Sequence, residues 1–506
     1  MAIIAIIVRY SCWCVVWMKQ GGGVVGRRIC FSALKPILAA ILFIFPFSPA
    51  LSEQPDWPDS LKKTKKPNEF VEWGWDLRIR DERFPDALDR IPHKRDPIRE
   101  WIRIRSRIFA DFKLMDNLKL KTRVTNESRL IESPDHYQSP NPYDRYDHFD
   151  VTLFDNFFLE LKTDGVLPVT WRIGRQDMLA MPGATGIMGT GFGSGLILMD
   201  GSPGDGSRSF FFDAARATID LDEWIPKSSL DIFVIHNDAY SHDHLPNIGG
   251  IDSYKRLDSW NSNALGLYYK NASWLEDQQI DLYYIYKTED QLIREPWEKT
   301  TAIGSVVNTA GFRYSGKLRK DLHFELEGAT QWGVKDTRQV RAFASQESVE
   351  QTFEGRYKPK AKLFHAYLSG DDPDTNTIES WQQVYGRWPK WGELIGYMGP
   401  SEDGIYYFTN MHILGVQTEI TPAENWTLTG VVQALYADEN TYRGRPGFSD
   451  SGRFRGWNPQ VNLAWSPTKY LTTHLLYEWF FEGNYMEYPA NRADYSFFRV
   501  DLVIKF

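Results

Sequence analysis

Cysteine is almost missing from this 506-residue chain: the three present, Cys12, Cys14 and Cys30, all fall within the first thirty positions. Nothing downstream can form a disulfide, a thiolate zinc site or a cysteine nucleophile. Apolar runs of the roughly 20 residues that a transmembrane helix needs are also lacking, and a mean hydropathy of −0.43 is too polar for a helical membrane protein. Positive charge is in deficit, 58 Lys and Arg against 66 Asp and Glu, which argues against a general nucleic-acid binder but leaves room for a local basic surface. Aromatic residues, by contrast, make up 15% of the chain beside 38 Gly and 27 Pro, too many for a disordered polymer.

The first 52 residues read as a signal peptide. Lys19, Arg27, Arg28 and Lys35 precede the apolar stretch 36–47, and Ala50-Leu51-Ser52 offers small residues at a cleavage spacing, so the mature start is expected near Glu53. A start at Met18 would give a conventional signal, which makes residues 1–17 a candidate mis-assigned extension; one or two membrane anchors are the alternative. Residues 53–69, with Lys62-Lys63 and Lys65-Lys66 in a Pro-flanked polar stretch, read as a solvated periplasmic linker.

From residue 70 the pattern has period two. Val71, Trp73, Trp75, Leu77 and Ile79 alternate with Glu72, Gly74, Asp76, Arg78 and Arg80; Ile102, Ile104 and Ile108 alternate with Arg103, Arg105 and Arg107. Such alternation predicts strands with one apolar and one charged face. It recurs to the end of the chain, with hairpins predicted at Thr421-Pro-Ala-Glu-Asn425 and Ser466-Pro-Thr-Lys469, while long Gly-, Pro- and Asp-rich segments separate other strands. Tight turns at one end and long loops at the other, a signal peptide, and aromatics near strand ends together predict an all-β, antiparallel transmembrane β-barrel in the outer membrane. About 18 strands are expected over residues 70–506, with short periplasmic turns and long extracellular loops. The last strand, with Phe498, Val500, Leu502, Ile504 and Phe506 on one face, resembles the C-terminal assembly signal of bacterial outer-membrane proteins, ending in Phe506.

Motifs for chemistry dissolve under this reading. Gly311-Phe-Arg-Tyr-Ser-Gly316-Lys317 has phosphate-loop spacing, but Leu318 stands where Ser or Thr should hold magnesium. The run Gly189-Thr-Gly-Phe-Gly-Ser-Gly195 lacks a following helix, and His242-Asp243-His244 lacks a third ligand. Asp371, Asp372 and Asp374 begin a calcium-like loop at 371–376, yet Thr377 replaces the needed Gly and Gln383 the closing Glu; a looser calcium site there stays open. Glu325 and Glu327 could be imagined as a glycosidase pair, but lumen-wall charge is the better reading. No catalytic residue, resident metal or cofactor is assigned.

What stays informative is the sign of the inward face. Arg78, Arg80, Arg103, Arg105, Arg107, Lys119, Lys121, Arg123, Lys162 and Arg172 are expected on it, against Glu72, Asp76 and Glu160. A basic wall would draw anions and reject cations; arginine's planar fork suits carboxylates, and several weak sites in series let a polymer move on. The alternative is a mixed-charge ladder that only stiffens the wall.

Two stretches carry a family resemblance. Trp171-Arg-Ile-Gly-Arg-Gln176, and Tyr367-Leu-Ser-Gly-Asp-Asp-Pro373 followed by Arg387-Trp-Pro-Lys-Trp391-Gly-Glu393, resemble the alginate export family of outer-membrane barrels. The resemblance implies an 18-stranded barrel with an arginine-rich constriction that conducts an anionic uronate polymer outward, and it marks Arg172 and Arg175 as pore arginines and Asp371 and Asp372 as loop carboxylates. The Gly-rich insert 181–206 and the Trp-Pro-Lys-Trp loop depart from the family. The expected function is passive, anion-selective export of an anionic polysaccharide. The rivals are a porin for small sugars or organic acids and, from other classes, an outer-membrane hydrolase or an adhesin. Expected partners are the polymer, outer-membrane lipid and lipopolysaccharide, the barrel assembly machinery and a periplasmic polysaccharide-secretion scaffold, with no nucleic acid.

Overall fold

Alternation of apolar and charged residues becomes strand from Val71 onward. The computed structural model describes residues 3–9, 12–18, 25–29, 63–84, 99–133, 148–178, 211–237, 261–290, 304–385, 391–395, 409–486 and 495–506. The chain divides into two units, Met1–Asp56 and Trp57–Phe506. In the first, β1 (Ile3–Arg9), β2 (Cys12–Met18) and β3 (Val25–Ile29) pair as a three-stranded antiparallel sheet in that order. The apolar stretch 36–47 and the cleavage residues of the expected signal peptide lie outside the described residues, as does Cys30.

The second unit is a closed antiparallel barrel of 18 strands, as the alternation predicts. Its first half comprises β4 (Val71–Phe84), β5 (Arg99–Met115), β6 (Leu118–Ser133), β7 (His148–Thr163), β8 (Val169–Gln176), β9 (Phe212–Asp220), β10 (Ser228–Asn237), β11 (Asn261–Asn271) and β12 (Gln278–Asp290). Its second half comprises β13 (Ser305–Arg319), β14 (Leu322–Lys335), β15 (Arg338–Thr352), β16 (Lys360–Leu368), β17 (Met411–Ile420), β18 (Trp426–Tyr436), β19 (Phe454–Thr468), β20 (Leu471–Glu482) and β21 (Tyr495–Lys505). Each strand pairs with its sequence neighbours, and β21 closes on β4. At that seam the Phe506 N–H donates to the Trp75 carbonyl (2.8 Å) and the Trp75 N–H to the Phe506 carbonyl (3.3 Å), so the closing ladder runs to the last residue.

Turns at one end are short, among them 116–117, 320–321 and 469–470; connections at the other end include 177–211 and 369–410. One tight connection departs from that asymmetry: Asp336-Thr337 joins β14 to β15 at the long-loop end, with Asp336 in the left-handed region (φ 55°). The phosphate-loop lookalike is part of β13, where Gly311 makes room for a tyrosine: a Cβ there would stand 2.4 Å from the Tyr283 ring.

Outward faces are apolar and exposed, with Ile108, Ile173, Leu265, Leu282, Leu363, Leu414 and Val432 presented around the ring. Aromatic pairs border the band, Trp426 on Trp465 (5.5 Å) at the short-turn end and Tyr436 on Phe454 (4.9 Å) at the loop end. That arrangement is a lipid-facing surface with interfacial girdles. A polar exception crosses it: Glu347 Oε2 meets His365 Nδ1 (2.8 Å), His365 Nε2 meets His412 Nδ1 (3.3 Å), and His412 Nε2 meets Asp438 Oδ1 (3.3 Å). The segment before β4, expected as a solvated tail, is exposed but pinned, because Trp73 Nε1 donates to the Thr64 carbonyl (2.7 Å) and Asn68 Oδ1 accepts from the Phe70 and Val71 N–H groups.

The seam yields a prediction. A Cβ at Gly74 would stand 2.5 Å from both the Phe109 ring and the Phe506 carbonyl, so Gly74→Val should destabilise the barrel by roughly 1–3 kcal/mol through overpacking. Heat-modifiability gels read this as a lower melting temperature. Gly430→Ala, whose new methyl meets only Thr418 Oγ1 at 3.4 Å, should melt like wild type; identical melting of Gly74→Val would refute the tight seam.

Candidate functional site

Closure leaves charged side chains one place to go. On β4, even-numbered residues face inward and are buried, Asp76, Arg78, Arg80 and Glu82 among them. Register sets Arg78 opposite Arg105 and Arg80 opposite Arg103, while β21 brings Asp501 beside Arg80 and Arg499 beside Glu82. Like charges directly opposed repel, and interleaved carboxylates relieve them. Glu82 is the hub: it accepts from Trp101 Nε1 (2.6 Å) and from Arg499 (2.6 Å), and lies 2.9 Å from Arg103 Nε and 3.7 Å from Arg80 Nη1. Arg80 also donates to Asp501 (2.6 Å), and the guanidiniums of Arg103 and Arg129 lie over the Trp101 ring at 5.5 and 5.3 Å.

The remaining expected lumen residues occupy graded environments. Arg107 holds Asp76 through Nε (2.8 Å); Lys121 reaches Asp111 (3.3 Å) and Glu160 (3.8 Å); Arg123 binds Asp155 (2.7 Å) and Asp177 (3.1 Å); and Arg172 binds Glu160 (2.8 Å). Lys119 and Lys162 are exposed beside short turns. Arg175 does not share the setting of Arg172: it is buried, forms a two-point pair with Asp213 (2.8 and 2.9 Å), donates to the Phe154 carbonyl and stacks on Phe211 at 4.1 Å. Farther round, pairs invisible to the sequence reading appear, Arg216 with Asp231 (2.8 Å) and Arg313 with Asp281 and Glu325 (both 3.2 Å). Glu327 accepts from Tyr283 (2.9 Å), which places both imagined glycosidase carboxylates in the wall network. On β4 to β6 the inward charge stays predominantly basic: Arg78, Arg80, Arg103, Arg105, Arg107, Lys119, Lys121, Arg123 and Arg129 face Glu72, Asp76, Glu82, Asp111 and Glu127.

The long connection between β16 and β17 supplies the second part of the site. Asp371 is held by Arg338 (3.1 Å) and accepts from the Glu379 N–H (3.0 Å), Asp372 accepts from the Asp374 N–H (2.9 Å), and Asp374 meets Arg443. These contacts shape the turn, and among the described residues no group of three or more His, Cys, Asp or Glu side chains is placed to hold a metal. Beyond Glu379 the connection dives inward, with Trp381, Val384, Tyr385, Trp391, Leu394 and Ile395 all buried. On one wall Gln331 of β14 brackets Gln382 by donating to its carbonyl (2.7 Å) and accepting from its N–H (2.8 Å), while Lys287 of β12 lies over the Tyr385 ring at 4.6 Å. On the far wall Gln433 and Gln460 both donate to the Trp391 carbonyl (2.6 Å). Glu478 accepts from the N–H groups of Glu393 (2.9 Å) and Leu394 (3.1 Å), and the Glu393 carboxylate meets Arg499 at 2.5 Å. β12 and β21 stand nine places apart in the ring of 18, so the two described ends of this strap reach opposite sides of the lumen. Gly392 fits the crossing because a Cβ there would lie 2.5 Å from Gln460 Nε2 and 2.8 Å from Asn458 Oδ1. Apolar residues crowded into a nominal extracellular loop were the sequence signal for the strap. The lookalike motifs at 189–195 and 242–244, the insert 181–206 and residues 386–390 of the strap lie outside the described residues.

The sequence profile of the alginate export family matches residues 252–497, a span that includes the Tyr367 and Trp391 motifs but not Trp171-Arg-Ile-Gly-Arg-Gln176. No curated protein matches the sequence. Three solved structures share the architecture. A BenF-like porin from Pseudomonas fluorescens Pf-5 is 10% identical with a TM-score of 0.51, over 86% of this chain and 98% of its own. The outer membrane protein OpdK of Pseudomonas aeruginosa is 11% identical at a TM-score of 0.50, over 86% of this chain and 98% of its own. Pseudomonas aeruginosa OpdQ is 9% identical at 0.50, over 86% and 97%. With its apolar exterior, charged interior and alginate-export match, this protein is an outer-membrane β-barrel channel.

The hub gives a stability prediction. Glu82→Gln would leave Arg80, Arg103 and Arg499 around a neutral amide, and breaking a buried ion pair from one side costs about 3–5 kcal/mol. Arg172→Gln, at a pair whose arginine is 24% exposed, should change stability by less than about 1 kcal/mol. Denaturant unfolding in one detergent compares them, and equal effects would deny the hub its role.

Proposed function

We propose that the channel is a passive, anion-selective conduit for export of an anionic, uronate-type polysaccharide, and that it catalyses no reaction. The observation that carries this reading is the predominantly basic inner face of β4 to β6, continued by Arg499 on β21. Guanidiniums offer flat two-point bonds to carboxylates, and a series of them lets a polyanion exchange one partner for the next. The alginate-export profile over residues 252–497 supports the choice of a polysaccharide as cargo. Neutralising carboxylates between the arginines keep each site weak, which a conduit needs if cargo is to leave.

The strap sets the resting state. Arg78, Arg80, Arg103, Arg105 and Arg499 have almost no accessible surface, so the arginine wall is covered, and the Glu393 carboxylate lies on Arg499 where a uronate carboxylate would bind. Passage then requires the strap to yield at its far-wall contacts. The calcium alternative at 371–376 is not part of this reading, since Arg338 and Arg443 already neutralise Asp371 and Asp374.

Planar-bilayer recording tests the proposal. Wild type should reverse at an anion-selective potential under a salt gradient and be blocked by polyuronate; Arg103→Glu/Arg105→Glu should weaken both, and Glu393→Gln should raise resting conductance by freeing the strap from Arg499. Cation selectivity, or free passage of small neutral sugars without block by polyuronate, would overturn the reading in favour of a general porin.

A further inference from the structure

At the short-turn end, where the barrel's first and last strands meet, a cavity of about 570 Å³ is lined by Lys65, Lys66, Lys469 and Lys505 together with Trp75, Phe109, Tyr470 and Phe506. That volume lies within the usual range of small-ligand sites. Three separate pieces of chain supply its ammonium groups: the segment before β4, the β19–β20 turn and the end of β21. Each piece is fixed. Trp73 Nε1 holds Thr64 (2.7 Å), the Lys505 N–H donates to the Tyr470 carbonyl (2.8 Å), and the Tyr470 N–H donates to Thr468 Oγ1 (3.2 Å). Trp75 stacks on Phe506 (6.2 Å), and Lys469 Nζ lies over the Tyr470 ring at 5.1 Å. Of the two acidic side chains in the lining, Asp76 already has both oxygens on Arg107 Nε (3.0 and 2.8 Å), leaving Glu72 as the opposing charge.

We infer that this cavity is a docking site for the end of an anionic saccharide at the periplasmic mouth, a station that hands the polymer to the lumen. The inference rests on the export reading above. Aromatic faces accept the apolar side of a sugar ring, and ammonium groups pair with its carboxylate. Lysine is also the suitable cation at an entrance: it is a compact, strongly hydrated charge with rotatable donors, so it captures without the flat two-point lock that arginine forms farther in. Its position at the short-turn end matches the side from which an exported polymer arrives. A phospholipid headgroup could satisfy the ammonium groups alone, but the aromatic lining beside them favours a sugar.

Titration calorimetry on the full-length barrel in nanodiscs tests the site, using hexameric uronate as probe and maltohexaose as neutral control. Hexauronate should bind wild type, and Lys65→Ala/Lys66→Ala/Lys469→Ala, at partly or fully exposed positions, should weaken it about ten-fold. Tyr470→Ala should weaken both charged and neutral sugar. Undiminished hexauronate binding in both variants would overturn the docking site and leave the export reading standing. Absence of binding and of polyuronate block in wild type would remove both. Phosphatidylglycerol that co-purifies with wild type, is lost from the triple variant and is not displaced by hexauronate would overturn the inference in favour of a lipid headgroup site.

Discussion

Everything in this barrel follows from the requirement that no backbone N–H or C=O be left unpaired in hydrocarbon. A sheet meets it only by closing, and closure is made by the β21–β4 ladder from Phe498–Arg83 to Lys505–Asp76, which Phe506 and Trp75 extend by one more pair. Once the ring is shut, every strand has one face toward lipid and one toward the lumen. A chain with a quarter of its residues charged must then send that charge inward or to the rims. The inner wall is consequently a lattice whose neighbours are set by strand register rather than by sequence proximity.

Register has an electrostatic consequence. Arg78 faces Arg105 and Arg80 faces Arg103 because β4 and β5 pair that way, and such rows persist only where carboxylates intervene. Glu82 meets that need from β4, Asp501 from β21 and Asp76 from β4 again. Desolvated ion pairs of this sort contribute little net stability compared with apolar packing, while removing one partner of such a pair is costly. The opposite wall is different in kind. There the carboxamide of Gln331 holds the strap backbone beside Lys287 and Lys335, while on the far wall, toward Arg499, Gln433 and Gln460 bind the backbone without adding charge.

Much of this was legible in the sequence. Strands at Met411–Ile420 and Trp426–Tyr436 were readable to the residue because a period-two pattern stops at a Pro-Asn turn. The inward side of Arg78, Arg80, Arg103 and Arg105 was likewise fixed by alternation alone. Partners were not legible: that Arg499 would meet Glu82 depends on a pairing between strands 417 positions apart, and local pattern carries no such distance. Arg175 shows a second limit. It follows Arg172 by three positions and shares its motif, yet it is clamped by Asp213 and Phe211 while Arg172 keeps partial access to solvent. The segment before β4 looked like a tail because its composition is polar, and a single indole donor was enough to pin it.

The strap joins the two walls into one device. Its near end is anchored by Gln331, by Lys287 over the Tyr385 ring, by Lys335 on the Gln382 side chain (2.9 Å), and by Tyr385 packed edge-on against Phe212 (5.1 Å). Its far end puts one carboxylate, Glu393, on one guanidinium, Arg499, which also serves Glu82. On the proposed export reading, a polymer bearing carboxylates would compete for that guanidinium. On that reading the charge that draws a polyanion to the wall is also the charge that would compete with Glu393 for Arg499, a charge that a neutral sugar of the same size would lack.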